Sequence, residues 1–179
     1  MLSREFSLEE ANALLHELDP LVGDQLKLGQ TISELVRELR ERVPVERRTM
    51  DVRELADHGE SIGLDAEDIS DLELDQGQVV AEVVDITLRA EDPGEIRDIK
   101  RNLAAFVEQY REGWQQVAEA GAVVADTSSG VIECFGRLDG RPVWFSWQYG
   151  EPAVEHYHEL NESVSERRPL GDARARLLN

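Results

Sequence analysis

Val131-Ile132-Glu133-Cys134-Phe135-Gly136-Arg137-Leu138-Asp139-Gly140-Arg141-Pro142-Val143-Trp144-Phe145-Ser146-Trp147 is the stretch that decides how this chain folds. Asp139-Gly140 is a two-residue turn of the kind that needs positive φ, so the flanking residues form a β-hairpin. Closing it with Leu138 opposite Arg141 fixes every pair outward. Gly136 faces Val143, Cys134 faces Phe145 and Ile132 faces Trp147. Side chains alternate along a strand, so these six share one side. The other side carries Phe135 with Trp144 and Glu133 with Ser146. One side is pure core. The other is apolar with a carboxylate set into it.

Around the hairpin the reading is local. Ala122-Val123-Val124-Ala125-Asp126 is a short strand, and Thr127-Ser128-Ser129-Gly130 is a turn. Gly150-Glu151-Pro152 ends the hairpin and opens a short final helix, Ala153 to about Ser163.

The first third is helical. Ser7 and Glu10 form a capping box, in which each side chain satisfies the other's backbone N–H. Leu8, Ala11, Leu15, Leu18 and Val22 then recur at spacings of three and four. Asp19-Pro20 suits either a kink or the start of a second helix. The pattern resumes at Leu28, Ile32, Leu35, Val36 and Leu39 and runs to about Val43, where Pro44 ends it. A helix this long cannot bury its stripe alone. Its expected partner follows Asp92-Pro93-Gly94, where Ile96, Ile99, Leu103, Phe106, Val107, Tyr110, Trp114 and Val117 repeat the helical spacing up to Gly121. The two are expected to pack antiparallel.

Residues 45–92 read as an acidic insertion or lid within a single domain spanning 1–179. Asp65 to Leu74 suits a short helix. Gln78 to Arg89 is rich in Val and Ile and suits helix or strand, with helix the favoured reading. Asp71 to Glu82 imitates a calcium loop, but its glycine falls one place late for the sharp turn.

Composition narrows the function. The chain has 179 residues, 38 acidic against 19 basic, and a net charge of −19. Such a surface repels phosphate backbones and anionic lipid, so neither nucleic acid nor membrane is an expected partner. Of the basic residues only Lys27 and Lys100 are lysine; the rest are Arg. High acid with almost no lysine suits a protein kept soluble in concentrated salt, where repulsion is screened. The single cysteine, Cys134, and the lack of a recognisable signal or apolar span make the cytoplasm the expected compartment.

Several of these residues, in this order, resemble a known family. Phe6 to Leu15 followed by Asp19-Pro20-Leu21 is similar to the opening of the bacterial and archaeal domain-of-unknown-function family 2203. Gly130 to Glu133, Val143 to Trp147, Gly150-Glu151, Tyr157-His158-Glu159 and Arg168-Pro169-Leu170 are similar to its later motifs. The chain departs from the family in Glu133, where Asp is usual, in Tyr157, where Trp is usual, and in its acidic block. The resemblance implies an α+β domain and gives weight to Glu133, His158 and Glu159. It implies no reaction.

His156-Tyr157-His158-Glu159 carries the candidate chemistry. If helical, His156 and Glu159 share a face; if extended, His156 and His158 do. His156, His158, Glu159 and Glu133 are the expected ligand set for a divalent metal. Glu133, His158, Glu159 and Arg168 are the expected set for a small ligand. The plainer reading is that these groups brace the fold. Glu133, flanked by Phe135 and Trp144, is buried enough to need a partner, and His158 or Arg168 would serve. Cys134 faces the core and reads as an inert apolar residue.

The expected fold is α+β: a long antiparallel helical pair, a small antiparallel sheet and a short C-terminal helix. Three functional readings follow. One is a binding protein for a metal or small ligand at the Glu/His/Glu cluster. The second is a structural or interaction module that dimerises through its helix faces, with the cluster as a brace. The third is a hydrolase using the same residues.

Overall fold

The computed structural model describes residues 4–43, 46–51, 74–75, 78–83 and 86–171, with side chains in 4–43 and 86–171. Helix α1 spans Leu8–Arg42, strands β1 to β3 span Glu46–Asp51, Leu74–Asp75 and Gln78–Val83, and helix α2 spans Gly94–Glu119. Strands β4 to β7 then span Val123–Asp126, Val131–Leu138, Arg141–Gln148 and His156–Glu159. A 3-10 turn, Val164–Glu166, precedes β8, Arg168–Pro169. By its contacts the chain forms two units, residues 1–27 with 110–179, and residues 28–109.

Helix α1 begins where the sequence says it should. Glu10 N donates to Ser7 Oγ at 3.1 Å, and Ser7 N donates to Glu10 Oε2 at 2.8 Å. The Ser7 N–H lowers the Glu10 carboxyl below its ordinary range. Pro20 lies inside α1, which is one helix throughout. A proline costs one backbone hydrogen bond there. Leu15, Leu18 and Val22 on either side bury into one core, which holds the helix together across it.

In the first unit a five-stranded antiparallel sheet runs in the order β4-β5-β6-β7-β8. Every expected hairpin pair is present, from Leu138 with Arg141 to Ile132 with Trp147. The turn has Asp139 at φ 51 and Gly140 at φ 79, both positive as this turn type demands. The apolar face, with Ile132, Cys134, Leu138, Val143, Phe145 and Trp147, packs on Leu8, Ala11, Leu15 and Val22 of α1 and on Trp114 and Val117 of α2. Burying each large side chain stabilises the fold by about 1.5–3 kcal/mol.

The edge of β5 beyond β4 is covered by the segment before α1. Phe6 N donates to the Phe135 carbonyl at 2.8 Å, and Phe6 bridges Gly136 in parallel. Gly136 has to be glycine. A Cβ there would sit 2.4 Å from Phe145 Cε2 and 2.6 Å from the Phe6 carbonyl oxygen.

In the second unit the helix segments bury Ile32, Val36 and Leu39 of α1 and Ile96, Ile99 and Leu103 of α2. Arg42 at the end of α1 pairs with Glu95 at the start of α2 at 3.1 Å, as antiparallel neighbours must. Lys100 is also buried. It donates to the Thr87 carbonyl at 2.8 Å and pairs with Asp92 at 3.1 Å, fastening the segment ahead of α2 to the helix. A separate sheet, in the order β1-β3-β2, belongs to this unit.

Three expectations need correction. Residues 78–83 are a strand paired antiparallel with β1, not a helix; a run of Val and Ile has no period that separates the two states. Residues 156–159 are also a strand, added to the edge of β6. The short C-terminal helix is therefore only the 3-10 turn at Val164–Glu166, capped by Ser163 and Glu166. The short helix expected at 65–74 lies outside the described residues except for Leu74, which is in β2, and the calcium-like stretch is described only in β2 and β3. Among the described residues no helix is long and apolar enough to cross a membrane.

Candidate functional site

The second face of the sheet holds the polar residues. Glu133 of β5 lies opposite Ser146 of β6, which lies opposite His156 of β7. One step along, Phe135 lies opposite Trp144, which lies opposite His158. Directly opposed residues on antiparallel strands point the same way, so all six share this face. Phe135 and Trp144 meet edge to face, with ring centroids 5.9 Å apart.

Glu133 and His158 meet diagonally across β6. His158 Nε2 lies 2.5 Å from Glu133 Oε1, and the two residues are 2% and 7% exposed. His158 Nδ1 lies 3.0 Å from the Glu159 carbonyl oxygen. A carbonyl only accepts, so Nδ1 carries a hydrogen. A second proton is then shared between Nε2 and the carboxylate. The pair is either imidazolium with carboxylate or imidazole with carboxylic acid, and both forms are neutral overall. Burial is tolerable for that reason.

Ser146 is the small residue between these two long side chains. It is fully buried, and among the described residues its hydroxyl has no hydrogen-bond partner. By register it lies directly opposite Glu133, one row from His158. On the core side, burial pushes the Cys134 thiol up to about 12, which keeps it protonated and unreactive.

A second group closes the end of the hairpin. Glu151 Oε2 accepts from Gln148 N at 2.9 Å, and the Glu151 carbonyl accepts from Trp147 Nε1 at 2.8 Å. Arg167 reaches Gln148 Oε1 at 2.7 Å and Glu151 Oε1 at 3.1 Å. His156 Nδ1 stands 3.3 Å from the same carboxylate, out of hydrogen-bonding alignment.

The expected site residues thus part company. Glu133 and His158 come together. His156 shares their face but turns to Glu151. Glu159 alternates to the other face, where its carboxylate pairs with Arg141 at 3.0 Å; only its carbonyl reaches His158. Arg168 pairs with Glu162 and lies over the Tyr157 ring, 5.6 Å from its centroid. Glu162 in turn accepts from Glu159 N at 2.8 Å, and that N–H, followed by Arg168, lowers its carboxyl below the ordinary range.

Of the expected site residues, the structure brings the side chains of Glu133 and His158 together. Among the described residues no three His, Cys, Asp or Glu side chains are placed to hold a metal ion.

Ser146, Glu151 and Arg167 have structural parts that the sequence reading did not assign. A signal for Ser146 was there, since the hairpin register already put it beside Glu133. Lys100 was visible too, as the one charge on the stripe of Ile96, Ile99 and Leu103.

A family model matches residues 4–170, and the chain belongs to that family, DUF2203, described as an uncharacterised conserved protein. The match takes in the acidic block as well as the two ends that carried the resemblance. No curated protein and no solved structure matches the chain.

Proposed function

With the chain placed in the DUF2203 family, we propose that it is a non-enzymatic structural module in which Glu133 and His158 brace the sheet. One observation carries this reading. Both ring nitrogens of His158 are engaged within the fold, one by the Glu159 carbonyl and one by Glu133, and both side chains are buried. A metal ligand or general base needs a nitrogen lone pair directed at its target. This imidazole spends Nε2 on holding β7 to β5 and Nδ1 on the carbonyl of its own neighbour in β7.

The surroundings support the same reading. Ser146, opposite Glu133, is fully buried, and Cys134 is held as a thiol. On the helix stripes Ile32, Val36, Leu39, Ile96, Ile99 and Leu103 are buried, while Leu28, Leu35, Phe106 and Val107 are half-buried.

The test is metal content and stability measured together. Protein purified without a histidine tag is assayed by elemental mass spectrometry alongside His158→Ala and Glu133→Ala. The brace predicts no stoichiometric metal in any of the three and a lower melting temperature in both variants. Stoichiometric metal in the wild type, lost in both variants, would replace the brace with a binding site.

A further inference from the structure

We draw no further inference here: the strongest candidate, the side-chain cluster on the polar sheet face where Ser146 Oγ and His156 Nδ1 stand without hydrogen-bond partners among the described residues, beside Glu133 and His158, belongs to the site already described, and nothing in the structure shows what ligand would reach a fully buried serine.

Discussion

Removing one half of the Glu133–His158 pair should destabilise the protein far more than removing both. His158→Leu leaves a buried carboxylate with no counter-charge, and stranding one member of a buried pair costs about 3–5 kcal/mol. Glu133→Leu is milder. The imidazole left behind can stay neutral and keep its Nδ1 bond to the Glu159 carbonyl, so only Nε2 is orphaned, at about 1–3 kcal/mol. Combining Glu133→Leu with His158→Leu removes both polar groups at similar volume, and should return stability to within about 1 kcal/mol of the wild type. In a chain of this length each kcal/mol moves the melting temperature by about 2–4 °C, so His158→Leu should melt roughly 6–20 °C early. Guanidinium titration followed by tryptophan fluorescence gives all four free energies, and Trp144 reports from beside the pair. If the double variant equals the sum of the singles within about 0.5 kcal/mol, the two residues are uncoupled and the brace is wrong.

Three further outcomes follow from the same geometry. Ser146→Ala should leave stability within about 1 kcal/mol of the wild type or raise it, because the lost hydroxyl has no partner among the described residues, whereas Ser146→Leu should cost about 1–3 kcal/mol by overpacking a fully buried position; equal losses in thermal melts would mean the position has room to spare. Gly136→Ala should cost about 1–3 kcal/mol, since its Cβ meets the Phe6 carbonyl as well as the Phe145 ring, and amide exchange should show Phe6 released from β5; unchanged protection at Phe6 would contradict this. The Arg89 N–H, with Lys100 behind it, holds the Asp92 carboxyl below its ordinary 3.8. A depressed carboxyl contributes stability that is present above its unfolded value and lost as pH falls through its folded one. Acid unfolding should therefore steepen below about pH 4 and be shallower in Asp92→Asn, and superimposable acid limbs would refute the linkage.

How far the sequence could be read depended on where each element's instructions lie. The β5–β6 hairpin carries its own: two turn residues set the register, and alternation then assigns both faces. The helices carry theirs in the spacing of Leu15, Leu18 and Val22 or of Ile96, Ile99 and Leu103. Strand β7 carries almost none. His156-Tyr157-His158-Glu159 is too short to show a period, and it is a strand because β6 offers it an unpaired edge. That single non-local fact decides the chemistry. Were these residues helical, His156 and Glu159 would share a face and His158 would point away, as an i, i+3 pair requires. Because they are extended, His158 falls on the face of Glu133 while Glu159 crosses to Arg141. The carboxylate came from the hairpin, where it could be placed in advance, and the imidazole came from the edge strand, where it could not. The distinction between a ligand cluster and a brace was therefore never in the composition of the His-Tyr-His-Glu run; it lies in the partner that β6 gives it.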